Sequence, residues 1–218
     1  MSFFEFLDLF TLSAPIILLM GVIVGIYFYK NVDILRKILT FYLALMFLLD
    51  VSSRVIGDVY GTNIFLLPIY GFVELFMFSL FYYYLGIKDS IKLKTALIFI
   101  LVLSLGYTVW EIDYIQNTPI NELETFSKVV STLITVLLSI GFFLEKILTK
   151  KEISSDLFML NSGILLFYSL NLIIFIPLDF LINGSELKFY FWLVNLIFTL
   201  IFYIFLISSI WKNGKTRG

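Results

Sequence analysis

Long apolar runs alternate along this chain with short clusters of charged residues, and those clusters mark out the elements. A helix needs about 20 mostly apolar residues to cross roughly 30 Å of hydrocarbon. Seven stretches meet that length when the polar interruptions are taken as boundaries: residues 9–29, 34–57, 64–86, 95–112, 126–148, 157–182 and 189–211. The fourth is the shortest, and the sixth, with Pro177 near its end, is the longest. Only helices and closed barrels satisfy the backbone in lipid, and a barrel is written in alternating segments of about 10 residues, so runs of this length predict helices. The predicted fold is an all-α seven-transmembrane-helix bundle, one membrane domain over residues 1–218. Its predicted connections are short, the longest being about a dozen residues around Asp113 to Glu124, which leaves no soluble domain for catalysis or DNA binding.

The charges orient the bundle. Of the 15 Lys and Arg, twelve fall in or beside the odd-numbered connections and the C-terminal tail: Lys30, Arg36, Lys37, Lys88, Lys92, Lys94, Lys146, Lys150, Lys151, Lys212, Lys215 and Arg217. The opposite side holds only Arg54, Lys128 and Lys188, and gathers the acids Glu5, Asp8, Asp58, Glu111, Asp113, Glu122, Glu124, Asp179 and Glu186. The positive-inside rule then predicts an N-terminus outside the cell and a cytoplasmic C-terminus. Trp192 and Trp211 lie 19 residues apart on the seventh run, about one hydrocarbon thickness at 1.5 Å per residue. Trp110 is expected at the outer interface, and Tyr82, Tyr83 and Tyr84 at the inner one. Glu5 and Asp8 stand where a signal peptide carries basic residues, so the first run is read as a retained helix.

Composition closes off several function classes. Hydrophobic residues make up 61% of the chain and charged residues 14%, with a mean hydropathy of +1.02, beyond the range of ordinary soluble domains. The formal net charge of −1 offers no basic excess for nucleic acid. Cysteine and histidine are absent, which removes disulfides, thiolate metal sites, a haem axial His, Cys nucleophiles and His-based proton relays. No cofactor is expected. The available chemistry is that of carboxylates, Lys, Arg, Asn, Ser, Thr and Tyr.

Ionisable residues within a span cost at least about 2.5 kcal/mol each on insertion scales, so they point to the bundle interior and to function. On the second run Asp50 and Arg54 are four residues apart, on one helical face and able to pair, with Ser53 beside them. Glu74 lies near the middle of the third run, one turn after Tyr70 and after Pro68, which is expected to kink the helix. With no cation nearby in sequence, Glu74 is ionised if Arg54 reaches it and is otherwise kept protonated by desolvation. Asn161, Tyr168, Asn171 and Asp179 form one stripe of the sixth run; Trp192, Asn195, Thr199 and Tyr203 form a face of the seventh, and Lys128, Ser131, Thr135 and Ser139 a face of the fifth. Each such residue also has a plain reading as interhelical packing. By depth, Asp50, Arg54, Glu111, Lys128, Asn171, Asp179 and Asn195 fall in the outer half with Glu74 as a floor, a pattern that predicts a small polar pocket open to the outside. The ligand-binding set is Asp50, Arg54, Glu74, Asn171 and Asn195. Gly21 and Gly25 make a G-x-x-x-G spacing that suits either a homodimer or internal packing. Asn183-Gly184-Ser185 matches a glycosylation acceptor, a frequent chance match.

The last run lacks the Lys a retinal protein needs, no Pro-Gln dipeptide of the small sugar exporters occurs, and the receptor triplet Asp-Arg-Tyr is missing. The stretches PIYGFVELFMFSLFYYYLG, FMLNSGILLFYSLNLIIF and FWLVNLIFTLIFYIFLISSIWK resemble uncharacterised seven-helix integral membrane proteins of Bacteroidetes-type bacteria, some similar to membrane regions that precede signalling domains. That resemblance implies a multi-pass protein of a bacterial inner membrane, with Glu74, Asn161 and Asn195 as the positions carried across, and no particular activity. The first expectation is a non-enzymatic sensor or ligand-binding subunit that takes a small polar or amphipathic ligand and meets a cytoplasmic signalling partner through its basic connections. A proton-coupled transporter or channel using Glu74, a structural subunit of a membrane complex, and an enzyme acting on lipid through Asp50 and Glu74 are the alternatives.

Overall fold

The computed structural model describes residues 10–86, 91–117, 126–150, 152–180 and 187–217, with only the backbone at residues 92, 175–180 and 187–189. Among the described residues every regular element is helical: α1 (Ser13–Tyr27), α2 (Ile34–Tyr60), a 3-10 turn (Ile64–Leu66), α3 (Leu67–Leu85), α4 (Ile91–Asn117), α5 (Ser127–Thr149), α6 (Ser155–Phe180) and α7 (Leu187–Arg217). The side chain of Asp179, the Asn183-Gly184-Ser185 triplet and the acids Glu5, Asp8, Glu122, Glu124 and Glu186 lie outside the described residues.

Among the described residues five helices are long and apolar enough to cross a membrane: Ile64–Leu85, Leu93–Asn117, Ser127–Thr149, Ser155–Ile174 and Tyr190–Arg217. The chain is an α-helical protein of multi-pass membrane character. The first two of the expected seven runs are not among these five, for different reasons. At 15 residues, α1 extends about 22 Å, less than the hydrocarbon thickness. At 27 residues α2 is ample in length, but Arg36, Lys37, Asp50, Arg54 and Asp58 dilute its apolar content. The fourth run, expected to be the shortest, belongs to a 27-residue helix that carries Trp110, Glu111, Asp113 and Tyr114 to Asn117. The first five residues of the expected long connection, 113–117, are therefore helix. Pro68 does not kink α3; it sits in the first turn, directly after the 3-10 turn, where its missing N–H costs nothing.

The helices form a ring in the order α1, α2, α3, α5, α6, α7 and back to α1, with α4 outside against α3 and α5; α3 and α5 run parallel, Gly71 meeting Lys128 and Gly86 meeting Glu145. The bundle is apolar both inside and out. Its core is mostly Leu, Ile, Met, Phe and Tyr with Thr132, Thr135, Ser139 and Asn161 wholly buried among them, while Met20, Phe99, Val102, Leu137, Leu166 and Ile201 are more than half exposed. Large apolar side chains exposed on several helices at once are what a lipid-facing surface requires.

The G-x-x-x-G pair is used inside the chain. Gly21 meets Leu43 of α2 and Ile207 of α7, and Gly25 meets Thr40, so the absent side chains let α1 lie flush on its neighbours.

The interior is layered along α3, where Tyr70, Glu74, Phe78 and Tyr82 recur every fourth residue over about 18 Å. At the middle, Phe78 packs edge-on against Tyr42 of α2 and Tyr168 of α6, each at 5.1 Å between centroids. One turn on, the Tyr82 hydroxyl donates to Asn161 Oδ1 at 2.7 Å, Ser139 Oγ donates to the same oxygen at 3.0 Å, and Asn161 Nδ2 donates to the Ser139 carbonyl at 3.2 Å. Tyr82 is thus a buried donor rather than an interfacial anchor; of the three tyrosines, only Tyr84 is exposed.

At the lysine-rich end a further network closes the bundle. Asp33 caps α2 by accepting from the Arg36 backbone N–H at 2.9 Å and pairs with the Arg36 guanidinium. Arg36, almost wholly buried, also pairs with Asp156 of α6. Asn213 of α7 accepts from the Asp33 N–H at 3.1 Å, and Arg217 approaches the Asp33 carboxylate. The ends of three helices, α2, α6 and α7, are tied together there.

Candidate functional site

Towards the end of the bundle where α2 gives way to α3 and where α5 begins lies a half-open cavity of about 220 Å³. Asp50 and Arg54 of α2, Tyr70 and Glu74 of α3, Lys128 of α5, and Trp192, Asn195, Thr199 and Tyr203 of α7 line it, together with Thr11, Ala14, Met46, Leu67 and Leu196. The polar faces expected of α5 and α7 are the sources: positions 192, 195, 199 and 203 repeat at helical spacing and all reach the same space.

Two ion pairs organise the walls. Arg54 Nε donates to Asp50 Oδ2 at 3.1 Å, the intrahelical pair that the four-residue spacing predicts. The same guanidinium crosses to the segment before α1, where Nη1 donates to Thr11 Oγ1 at 3.2 Å and Nη2 to the Thr11 carbonyl at 2.6 Å. Arg54 therefore does not serve Glu74. That role belongs to Lys128, whose Nζ lies 2.6 Å from Glu74 Oε1, with both side chains at least nine-tenths buried.

Local packing explains why this pair forms. A Cβ on Gly71 would stand 3.2 Å from the Lys128 Cα and 3.2 Å from Ser131 Oγ, so α3 and α5 approach here as closely as a bare glycine permits. Glu74 follows three residues later, on the same side of α3, and is delivered to the α5 lysine. Ser131 and Thr135 turn their hydroxyls back to the carbonyls of Ser127 and Ser131, at 2.7 and 2.9 Å, which removes them from competition for the pair. Glu111 of α4 is also buried, and both its carboxylate oxygens lie 3.3 Å from the Ser127 N–H at the start of α5. A carboxylate at that position complements the positive end of the helix.

The Glu74 Oε2 and Asn195 Oδ1 atoms are buried on this cavity without a hydrogen-bond partner. Buried acceptors of this kind are rare enough in folded proteins to require an account. No known protein-family model, curated protein or solved structure matches this chain. The resemblance read from its three apolar stretches therefore brings no residue roles, and the site rests on its own chemistry.

Of the five residues expected to bind ligand, four converge: Asp50, Arg54, Glu74 and Asn195. Asn171 does not join them. It is buried in α6, its amide donating to the Phe167 carbonyl one turn back at 3.0 Å, a helix-internal bond. The residue that sequence reasoning underused is Lys128, since the search for a Glu74 partner looked along the chain rather than across it. Its place at the head of a Ser/Thr face, on a side of the bundle nearly devoid of cations, was the available signal. Among the described residues, no group of three or more Asp or Glu side chains gathers to hold a metal ion.

A second, more superficial cleft of about 460 Å³ adjoins the cavity. Its lining includes Ser53, Gly57, Asp58 and Asn63, and it shares Thr11 and Arg54 with the deeper space. The Arg54–Thr11 contact is thus a wall common to both.

Proposed function

We propose that this chain is a seven-span, multi-pass membrane protein, N-terminus out and C-terminus in the cytoplasm of a bacterial cell, that binds a small polar solute in the cavity lined by Arg54 and Glu74. In this reading it acts as a non-enzymatic sensor or ligand-binding subunit, and its lysine-rich connections meet a cytoplasmic signalling partner. The carrying observation is the cavity itself: two ion pairs, two unpartnered buried acceptors and three aromatic side chains around one space that adjoins a superficial cleft. A solute passing from cleft to cavity meets Arg54, whose guanidinium also holds Thr11 and so ties the start of α1 to α2. Solute occupancy would thereby be read as a displacement of α1, whose other end packs beside the Asp33–Asn213 cluster.

The test is solute binding by purified protein in nanodiscs, followed by thermal shift across a panel of amino acids, amines, polyols and sugars. At least one solute should raise the melting temperature, and Arg54→Ala should abolish the shift while leaving a folded protein. A panel without effect, or an unchanged shift in Arg54→Ala, removes the reading.

A transport reading is favoured by a separate observation: below the cavity lie an aromatic layer and the Arg36 network, in the manner of a path closed at one end. Flux of the bound solute into liposomes, lost on Glu74→Gln, would support transport; binding without flux would leave the sensor.

A further inference from the structure

We infer that the solute is a small α-amino-acid-like zwitterion, its ammonium held by Glu74 and Asn195 and its carboxylate by Arg54. The inference rests on the solute-binding reading above and narrows its chemistry. The four charges around the cavity, Asp50 with Arg54 and Glu74 with Lys128, cancel. A solute with net charge would leave that charge uncompensated in a partly desolvated space, whereas a zwitterion adds none. The deep wall asks for donors: Glu74 Oε2, on a residue only 4% exposed, and Asn195 Oδ1 are both buried without a partner. A primary ammonium carries three N–H groups and serves both, while a trimethylated amine serves neither.

The wall nearer the cleft offers the complement. Arg54 has five N–H donors and uses three, on Asp50 and on the Thr11 hydroxyl and carbonyl. Two remain, on a planar group suited to a carboxylate. Volume limits the rest of the solute. About 220 Å³ equals the share of roughly seven waters at 30 Å³ each, and lies below the 300–1,000 Å³ typical of drug-sized sites. Met46, Leu196 and Tyr203 offer an apolar surface for a modest side chain.

The experiment uses the full chain in nanodiscs and measures calorimetric affinity for the twenty common L-α-amino acids. The best of them is then compared with its decarboxylated amine, its deaminated acid and its N-trimethyl derivative. We expect at least one amino acid to bind, each trimmed analogue to bind at least tenfold more weakly, and Asn195→Leu and Arg54→Lys each to cost at least tenfold. Neither variant removes a partner of the Glu74–Lys128 pair, so both should remain folded, as their melting temperatures without solute will show. Equal binding by the amine or the trimethyl form overturns the inference. If no amino acid binds but a polyol or sugar does, in a manner lost on Arg54→Ala, the zwitterion falls and the solute-binding reading stands. If nothing in either panel binds, both fall.

Discussion

The Glu74–Lys128 pair is the sharpest point at which to test this architecture, because its two halves come from different helices and its single and double losses differ in size. At 2.6 Å and an effective dielectric constant of about 20, the Coulomb attraction is roughly 6 kcal/mol. Desolvating two ions to a nine-tenths-buried position costs several kcal/mol apiece, so the net worth of the intact pair is small. Removing one partner is another matter. Lys128→Met leaves a buried carboxylate without its cation, and Glu74→Gln leaves a buried ammonium without its anion; each should destabilise by about 3–5 kcal/mol. The double variant leaves neither charge and should lie within about 2 kcal/mol of the parent. The double-mutant cycle therefore predicts a coupling energy of about 4 kcal/mol or more. Reversible denaturation in mixed micelles, read through the 3 Trp and 13 Tyr, supplies all four free energies. Additive losses, with coupling under about 0.5 kcal/mol, would falsify the pairing across α3 and α5 and with it the arrangement of the cavity floor.

Other expectations follow from single contacts. Gly71→Val should cost about 1–3 kcal/mol by overpacking, and in that background the Glu74–Lys128 coupling should fall, since the added methyl groups push α3 off α5. Asn161→Leu should cost only about 1–2 kcal/mol, because three bonds at about 0.6 kcal/mol each are what polar contacts average within a membrane; a loss above about 4 kcal/mol in the same denaturation assay would contradict that estimate. Arg36→Ala should cost about 3 kcal/mol, near the low end for a broken buried pair, since Asp156 is half exposed and rehydrates. The chain has no cysteine, so single cysteines report topology without background: Asn63→Cys should react with an impermeant maleimide on intact cells, and Lys215→Cys only after permeabilisation. The reverse pattern would invert the orientation.

The helical class and most boundaries were legible because they follow from apolar run length, a property each segment carries alone. Departures arose where neighbours decide. Pro68 reads as a kink if residues 64–86 are one helix, but a 3-10 turn precedes it and the proline starts the next helix. Asp113 reads as loop by polarity, yet α4 runs on to Asn117 past the buried Glu111. Tyr82 reads as an interfacial anchor because three tyrosines stand together, and only the fold shows Asn161 waiting for its hydroxyl. Within the cavity, the Asp50–Arg54 pair was readable from a four-residue spacing. The Glu74–Lys128 pair spans 54 residues and depends on helix adjacency. Asn171 shows the converse failure, since sharing a stripe with Asn161 and Tyr168 fixes its burial but not which space it faces.

The two buried cations, Arg36 and Lys128, show how one device can serve opposite ends of the bundle. Arg36 is bracketed: Asp33 and Asp156 hold its two terminal nitrogens, its Nε is buried without an acceptor, and Asn213 locks Asp33 in turn, so three helices are joined there. Lys128 meets Glu74 through one carboxylate oxygen and leaves the other buried without a donor, on a residue that lines the cavity. Ion pairs shared among helices rigidify a network, whereas an unpartnered buried acceptor carries a cost that binding of a donor removes. The stability difference is therefore directional. A solute that supplies N–H groups gains from Glu74 and Asn195 what the folded chain lacks, whereas at the Arg36 end the atom without a partner is a donor. If the protein responds to a solute, the cavity end is where free energy is available to drive the response, and the Arg36 end is the rigid frame against which α1 can move.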